Sequence, residues 1–408
     1  MLYKKITYLL IFILFCFCFY PVLASDSLYV WSDLSAPQAI TTSSLVNSKE
    51  GNFLGLTCGG AILMDQSTGT ILYEHNSHEK LAPASVTKVM TLLLIMEALD
   101  NKIISLEDNV PCSENASSMG GSQIWLDTTE TLTVHEMLKA ICVVSANDCC
   151  VAMAEYLSGS QELFVEQMNK RAKELGMNDT CFKNCHGIDE DGHFTSAHDI
   201  ALMSRELMLN HPSITNYTTI WMDSLRDGES ELVNTNKLLR NYEGCTGLKT
   251  GSTSTALFNL SATATRNSLS LIAVIMRGET SAIRFAEAKK LLDYGFSNFE
   301  YVSYCNKGDV IKEIPVNKGT FSSTQAILER DLGTLIPKGQ SNNISSKITL
   351  PEILQAPVIE NSKIGQIDFY LGETLVGSAN LVSNKSIPKL TLGNMLAHVA
   401  EKWFTLLR

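Results

Sequence analysis

The apolar residues of this chain are spaced in two ways, and the pattern changes near residue 300. Before that point, long stretches repeat at the helical spacing of three and four. Residues 86–99 (VTKVMTLLLIMEAL) are apolar on every face, which predicts a helix enclosed in the core, and Pro83 suits its start. Further helices are predicted over residues 133–157, 160–176, 196–210 and 281–295.

Strand patterns stand at both ends of this helical region. Residues 59–76 (GGAILMDQSTGTILYEHN) predict a hairpin with its turn at 67–69. Residues 247–278 predict three strands in series, the last two joined across 266–268. We therefore predict one sheet completed by both segments, with a helical region beside it.

After residue 300 the helical spacing gives way to short alternating runs. They read VIKEIPV, SKITLP, KIGQIDFYL and ETLVGSANLV. Alternation at period two is typical of half-buried strands. A small all-β module is therefore predicted over residues 299–388.

The beginning of the chain has the pattern of an export signal. Lys4 and Lys5 precede an uncharged apolar run that ends in small residues, which predicts a secretory signal peptide over residues 1–24. A retained transmembrane helix, or a lipoprotein anchored through Cys16 or Cys18, fits less well. A Ser/Thr-rich lead segment follows over residues 25–50.

The last residues, 389–408, predict an amphipathic helix. One apolar stripe is formed by Leu392, Leu396, Val399, Trp403 and Leu406. Aromatic residues such as Trp403 suit the headgroup boundary of a membrane, so we expect this helix to lie on the membrane surface as an anchor. The alternative is that it docks onto its own domain.

Charge and cysteine content narrow the function classes. The net charge is −11, and it becomes −13 without Lys4 and Lys5, so an exported acidic chain with no basic cluster is not expected to bind nucleic acid. Nine of the 11 cysteines follow residue 24, and an odd number cannot pair completely. In an apolar helical stretch, Cys142, Cys149 and Cys150 are expected to be buried thiols.

Cys181 and Cys185 allow two sharper interpretations. They could form a disulfide, or they could bind zinc together with His186 and His193. No second tight pair of ligands is present to close a tetrahedral site. We therefore predict no metal and no cofactor.

Candidate chemistry lies at the head of the enclosed helix. Ser85 and Lys88 are three residues apart, so their side chains can touch on one face and the amine could take the hydroxyl proton. This spacing is common by chance, and Ser85 alone would more often be an N-cap. Two further motifs make chance less credible: they are Ser145-Ala146-Asn147 between helical runs, and Lys249-Thr250-Gly251 followed by Ser252.

In this order the motifs resemble those of the low-molecular-mass penicillin-binding proteins, the serine-type D-Ala-D-Ala carboxypeptidases. The matching blocks are APASVTKVMT, GGSQIWL, VSANDCC, NCHGIDEDGHFTSAHDIA, NTNKLL and CTGLKTGST. The resemblance implies an α/β (α+β) penicillin-binding catalytic domain over residues 51–298, with an antiparallel sheet flanked by helices and a helical subdomain. A small all-β domain over 299–388 and the amphipathic helix over 389–408 would follow.

The resemblance also implies a role for each candidate residue. Ser85 would be acylated, with Lys88 as its base, kept uncharged by burial and by the nearby charge of Lys249. Ser145 would relay the proton to the leaving amine, and Asn147 would hold a substrate amide. The remaining roles belong to one strand: Lys249 and Thr250 would bind the terminal carboxylate, Gly251 would leave room for the substrate, and the N–H groups of Ser85 and Ser252 would form the oxyanion hole.

The partners implied by the resemblance are peptidoglycan stem peptides, β-lactam antibiotics as covalent inhibitors, and the membrane surface. The implied location is the outer face of the cytoplasmic membrane. A D,D-endopeptidase or transpeptidase on the same scaffold remains an alternative, because these motifs define acyl transfer and not the acceptor. A non-catalytic wall-binding protein would lack Ser85, Lys88 or Lys249, and all three are present.

A class A β-lactamase shares the three motifs and adds a glutamate that activates water. An E-x-x-L-N pattern does occur at 206–210, but it lies far along the chain and inside a predicted helix. We interpret it as coincidence. Two other polar groups are interpreted as structural: His186, His193 and His198 as loop hydrogen-bonding residues near the cleft, and Asp189, Glu190 and Asp191 as a solvated turn.

Overall fold

The computed structural model describes residues 52–391 and Gly393. The predicted signal peptide, the lead segment and the apolar stripe of the predicted tail helix lie outside the described residues. Within the described range, none of the helices combines the length and the apolar character that crossing a bilayer requires.

The strands before residue 299 form one large sheet and two short ribbons. They are β1 (Gly60–Asp65), β2 (Ile71–His75), β3 (Asn109–Pro111), β4 (Thr131–Thr133), β5 (Met222–Leu225), β6 (Ser230–Val233), β7 (Cys245–Thr253), β8 (Leu257–Arg266) and β9 (Leu269–Gly278). The large sheet is antiparallel, in the order β2-β1-β9-β8-β7. The hairpin and the three later strands therefore complete one sheet, as predicted. Asn267 and Ser268 join β8 to β9 with φ values of 48° and 67°, the left-handed geometry of a tight hairpin turn.

The helices of this part cover both faces of the sheet or pack beside the helices that do. They are α1 (Lys88–Asp100), α2 (Glu114–Ser117), α3 (Val134–Val143), α4 (Asn147–Ser158), α5 (Gln161–Glu174), α6 (Ala197–Asn210), α7 (Thr215–Thr218), α8 (Leu238–Asn241) and α9 (Ser281–Asn298). Thr133 starts α3 through a capping box with Glu136. The single helix predicted over 133–157 is wrong in one respect: it is broken between α3 and α4, where Ser145 has a φ of 67°.

Alternate residues of the central strands contribute to two separate cores. Ile62 and Met64 face the core built with α1, α3, α4 and α6, whereas Ala61 and Leu63 face the core built with α9. Burial on both faces explains why β1 is a continuous apolar run. The predicted fold class, a sheet flanked by helices with a helical region beside it, is confirmed.

The C-terminal part is all-β, as predicted. Its strands are β10 (Phe299–Cys305), β11 (Val310–Asn317), β12 (Ser323–Leu328), β13 (Leu332–Pro337), β14 (Ile344–Thr349), β15 (Leu354–Gln355), β16 (Lys363–Leu371) and β17 (Thr374–Ser383). Six of them form a sheet in the order β14-β16-β17-β12-β11-β15, and β10 pairs with β13. A core of its own, which includes Ile314, Ile367 and Leu381, supports this sheet.

All nine cysteines of the described residues are free thiols. The disulfide considered for Cys181 and Cys185 is therefore not formed. Cys142, Cys149 and Cys150 are fully enclosed, and burial raises the pKa of the Cys150 thiol to about 11 and that of Cys142 to about 12. These thiols are chemically quiet packing groups, as the apolar pattern predicted.

Candidate active site

Ser85 lies on a single 3-10 turn, Ala84–Thr87, and α1 begins directly after it at Lys88. The sequence predicts that both residues share the first turn of one helix. In the structure the serine instead precedes the α-helix, and Lys88 is the first residue of that helix. Ala84 has a φ of 48°, an uncommon and strained value for a residue with a side chain. This geometry brings Ser85 Oγ to 3.0 Å from Lys88 Nζ.

Lys88 is completely buried, and three oxygen atoms surround its amine. Beside Ser85 Oγ, these are Asn147 Oδ1 and the backbone oxygen of His186, each 2.6 Å from Nζ. Burial lowers the pKa of Lys88, because no solvent stabilises the charged form. A carboxamide oxygen and a peptide oxygen can only accept hydrogen bonds, so a neutral amine can donate its two protons to them. Its lone pair is then free to face the serine hydroxyl.

Lys249 is the second buried amine, on β7 of the sheet. Its Nζ donates to the backbone oxygen of Thr250 at 2.9 Å. Burial, followed by repulsion from Lys88, lowers the pKa of Lys249 to about 7. The sequence predicts that burial and the nearby charge of Lys249 together keep Lys88 uncharged. Burial is the leading cause of the lowered pKa at both amines, and repulsion from the other amine adds to it at Lys249.

Asn147 begins α4 and uses both ends of its carboxamide inside the protein. Its Oδ1 accepts from Lys88, and its Nδ2 donates to the backbone oxygen of Gly120 at 2.7 Å. The sequence predicts a substrate contact for this side chain. The observed bonds also make it a support that holds the Lys88 amine in place, and the substrate contact stays a prediction.

Ser145 lies in the break between α3 and α4. Its side chain is buried, and among the described residues its Oγ contacts no hydrogen-bond partner. A buried hydroxyl without a partner is unfavourable by about 1–3 kcal/mol. The φ of 67° and the unpartnered oxygen each lower the stability of the fold at this position. Local strain of this kind is typical of functional sites.

Strand β7 is an edge of the large sheet. Thr250 Oγ1 lies 2.6 Å from Thr235 Oγ1, and Ser252 is exposed two residues further along the strand. An edge strand offers backbone groups that an extended peptide can pair with. The motif therefore lies on a surface able to receive a peptide as an added strand.

Gly251 of this strand packs directly against the turn that carries Ser85. A methyl group at its Cα would lie 2.9 Å from both Ser85 N and Val86 N, and 3.0 Å from Pro83 O. The sequence predicts that this glycine leaves room for substrate. A side chain at this position would instead point at the turn that carries Ser85. Glycine is needed because two backbones meet there.

We expect Gly251→Ala to displace the serine turn, since neither backbone can yield cheaply. Acylation by a penicillin should slow by roughly tenfold or more, and the free energy of unfolding should fall by about 1–3 kcal/mol. Stopped-flow acylation and urea unfolding measure the two effects. Gly377→Ala is the matched control, because that strand glycine has only ordinary contacts of 3.5 Å or more. Wild-type acylation and stability in Gly251→Ala would contradict this packing.

The loop that contains His186 supplies parts of the site that the sequence motifs do not reveal. The peptide oxygen of His186 contacts Lys88, and Gly187 follows with a φ of 91°. A methyl group on Gly187 would lie 1.9 Å from Ala84 O, so only glycine fits. The requirement for glycine at position 187 is visible in the sequence as the dipeptide His-Gly. The contact of the His186 peptide oxygen with Lys88 is not visible, because any residue could supply that oxygen.

The three histidines make protein hydrogen bonds. His193 uses both ring nitrogens, since Nδ1 accepts from Lys183 N at 2.9 Å and Nε2 lies 2.8 Å from Thr87 Oγ1. A ring with both nitrogens occupied is not available to bind zinc. His198 Nδ1 lies 3.3 Å from Asp199 Oδ1. In the acidic turn, Asp189 accepts from Thr253 Oγ1 at 2.8 Å.

Comparison with known protein families identifies the family to which a chain with this site belongs. The model of the D-alanyl-D-alanine carboxypeptidase family matches residues 47–280, more than half of the chain. The chain belongs to this family. The model of the penicillin-binding protein 5 C-terminal domain matches residues 299–389. The carboxypeptidase fold and its C-terminal β domain are thus both present.

Individual carboxypeptidases resemble the chain over most of its length. D-alanyl-D-alanine carboxypeptidase DacF of Bacillus subtilis is 39% identical over 347 residues, which cover 84% of this chain and 89% of the relative. Penicillin-binding protein 5 of Haemophilus influenzae has a similar structure, with a TM-score of 0.71 and 32% identity over 82% of this chain and 98% of that chain. Penicillin-binding protein D2 of Listeria monocytogenes, solved in its ampicillin-bound form, gives a TM-score of 0.55 and 30% identity over 60% and 99%.

The pattern at 206–210 has a different role in this carboxypeptidase. One oxygen of Glu206 accepts from Arg171 at 2.6 Å, and the other accepts from Asn210 Nδ2 at 2.9 Å. Glu206 also lies with Glu97 and His211 in a group of ligand-type side chains. The carboxylate is therefore engaged in a helix-to-helix ion pair, which agrees with coincidence as the origin of the pattern.

Proposed function

We propose that this chain removes the terminal D-alanine from peptidoglycan pentapeptide stems through an acyl-enzyme on Ser85. The observation that carries the proposal is the buried Lys88 amine, which lies 3.0 Å from Ser85 Oγ and is bonded, among the described residues, to two further acceptors. Such an amine is an effective base for the hydroxyl. Membership of the carboxypeptidase family supports the same reaction.

The first step is attack of Ser85 Oγ on the carbonyl carbon between the two D-alanines. The hydroxyl proton passes to the lone pair of Lys88, and the carbonyl oxygen becomes negatively charged. The backbone N–H groups of Ser85 and Ser252 are proposed to stabilise that charge, which is worth about 3–4 kcal/mol per donor in comparable sites.

Collapse of this intermediate expels the amine of the terminal D-alanine. The proton held by Lys88 must reach that nitrogen, and the Ser145 hydroxyl is the proposed relay because its buried Oγ has no partner of its own among the described residues. Water then cleaves the ester on Ser85, with Lys88 again as the base. The free carboxypeptidase returns with one D-alanine removed.

Substrate binding is proposed to use β7. The ammonium group of Lys249 attracts the terminal carboxylate, and Thr250 adds a directional hydrogen bond. With a pKa of about 7, Lys249 gains its proton readily when a carboxylate approaches. Its charge then disfavours a charge on Lys88 by repulsion. The charge that binds the anionic substrate thus also helps to keep the base uncharged.

The test is release of D-alanine from a pentapeptide that ends in D-Ala-D-Ala, compared with cleavage of a D-Ala-linked cross-linked dimer. We expect D-alanine release to exceed dimer cleavage. Preference for the dimer, or transfer to an added amino acid without free hydrolysis, would instead establish the endopeptidase or transpeptidase alternative. Covalent binding of β-lactams to Ser85 is proposed from the same geometry and from the ampicillin-bound relative.

We also propose the export and attachment predicted from the sequence. Removal of residues 1–24 would leave a lead segment, a catalytic domain at 51–298 and a β domain at 299–388. The predicted start at 389 is wrong, because Lys389 pairs with Gly319 as part of the β domain. A helix later in the tail would then hold the enzyme against the outer face of the cytoplasmic membrane. Its apolar stripe and Trp403 support this attachment.

Deletion of residues 392–408 should release the protein from membranes. This truncation keeps Leu390 N bonded to Lys318 O and Lys389 paired with Gly319, so the β domain should stay folded. Flotation with anionic lipid vesicles measures attachment, and Trp403→Asp should weaken it without a truncation. Equal flotation of the full chain and the truncated chain would favour docking of the helix onto its own domain.

A further inference from the structure

The segment before Ser85 is held by side chains that take no part in the proposed chemistry. Asn259 of β8 donates from Nδ2 to Ala82 O at 2.8 Å, and Thr87 Oγ1 donates to Ala84 O at 2.9 Å. Ala84 O therefore has a defined partner at the residue whose φ is 48°. The direction of that carbonyl fixes the peptide that carries the Ser85 N–H.

His193 determines how the Thr87 hydroxyl can act. Its Nδ1 accepts the N–H of Lys183, which leaves the proton of the neutral ring on Nε2. Nε2 lies 2.8 Å from Thr87 Oγ1 and must donate to it. A hydroxyl that accepts from the ring has its own proton free for another acceptor, and that acceptor is Ala84 O.

These bonds form one directed chain: Lys183 N–H to His193, His193 N–H to Thr87, and Thr87 O–H to Ala84 O. His193 and Thr87 are 5% and 0% exposed, so water does not compete for these groups. Burial also lowers the pKa of His193 to about 4, which keeps the ring neutral. The chain thus has a single polarity at neutral pH.

We infer that His193 is a positioning residue for acylation: acting through Thr87, it holds Ala84 O and so keeps Ser85 in line with Lys88. The inference rests on the proposed function, because it concerns the same nucleophile. Within the described residues, the ring of His193 hydrogen-bonds to Thr87 and Lys183, and to neither Ser85 nor Lys88. Its loss should therefore lower the rate of the chemical step and leave substrate affinity almost unchanged.

Two pairs of variants separate this role from simple packing. His193→Gln places an amide near the Nε2 position and keeps a donor for Thr87, whereas His193→Asn keeps an acceptor for Lys183 and loses contact with Thr87. Thr87→Ser keeps the hydroxyl, and Thr87→Val keeps the shape without it. His198→Asn is the control, since His198 stacks on His78 with ring centroids 4.5 Å apart and does not contact the serine turn.

The measurements are kcat and KM for D-alanine release, the acylation rate with a labelled penicillin, and thermal stability. We expect kcat and acylation to fall by about ten- to a hundredfold in His193→Asn and Thr87→Val, with KM within about twofold. His193→Gln and Thr87→Ser should retain most of the rate. The double variant His193→Asn/Thr87→Val should be no slower than the slower single variant, because both break one chain.

Three results would overturn the inference. One is a wild-type acylation rate in both His193→Asn and Thr87→Val. Another is a loss of acylation rate in His193→Gln and Thr87→Ser as large as that in His193→Asn and Thr87→Val. The third is a fall in thermal stability with an unchanged rate per labelled active site. Failure of the proposed function looks different: the wild-type protein would then release no D-alanine, or Ser85→Ala would still bind penicillin covalently.

Discussion

Replacement of Ser85 by alanine should abolish covalent labelling by penicillin completely. No other described hydroxyl contacts the Lys88 amine, so nothing remains to form the ester. D-alanine release should fall by roughly 10⁴-fold or more, since removing the nucleophile of a serine hydrolase has effects of that size. Gel fluorescence with a labelled penicillin measures the first effect, and a D-alanine assay measures the second.

The fold of this variant should be intact, because Ser85 is only half-buried and one hydrogen bond contributes about 1 kcal/mol. Thermal unfolding checks this point. Ser213→Ala is the matched control, since Ser213 also lies in a 3-10 turn, Pro212–Ile214, and is exposed. Labelling that persists in Ser85→Ala would mean that a different residue is acylated, and the proposed mechanism would fail.

Replacement of Lys88 by methionine should have the second largest effect. The two side chains have similar volumes, but methionine has no lone pair that can accept the Ser85 proton. Acylation should slow by about 10²–10⁴-fold, the usual contribution of a general base. The residual rate should also lose the dependence on pH that protonation of Lys88 gives the wild-type enzyme.

The stability of Lys88→Met is set by two opposing effects. Asn147 Oδ1 and the His186 oxygen lose a donor, which is unfavourable by about 1–3 kcal/mol each. Removal of a buried amine compensates, since apolar replacements of buried ionic groups are often neutral or stabilising. Lys170→Met is the control, because the side chain of Lys170 is 80% exposed. Acylation of Lys88→Met within tenfold of the wild-type rate would exclude Lys88 as the base.

The sequence is a good guide to this fold because its patterns are local. Alternation in 247–278 and the apolar run of β1 predict strands that the structure contains. The break at Ser145 shows in the sequence only as the motif Ser145-Ala146-Asn147, since the apolar pattern continues across it and a left-handed residue interrupts the helix. Periodicity reports side-chain burial and is insensitive to one residue with an unusual φ.

In the active site, too, some features can be predicted from the sequence and others cannot. Residue types identify Ser85 and Lys88, because their chemistry depends on their side chains. The roles of Asn147 and Gly251 depend on what lies opposite them: one holds Lys88 and the other faces the serine turn. The peptide oxygen of His186 leaves no trace in residue type at all. Contacts between distant parts of the chain therefore limit what the motifs alone can predict.

The central claim is that the Lys88 amine is uncharged in the resting enzyme. NMR titration of the side-chain resonances of ¹³C-labelled lysine, with Lys88→Met to identify the signal of Lys88, measures its protonation directly. We predict that Lys88 titrates well below the ordinary lysine value of 10.5, because burial lowers its pKa. A Lys88 signal that stays protonated up to pH 10 would contradict the account.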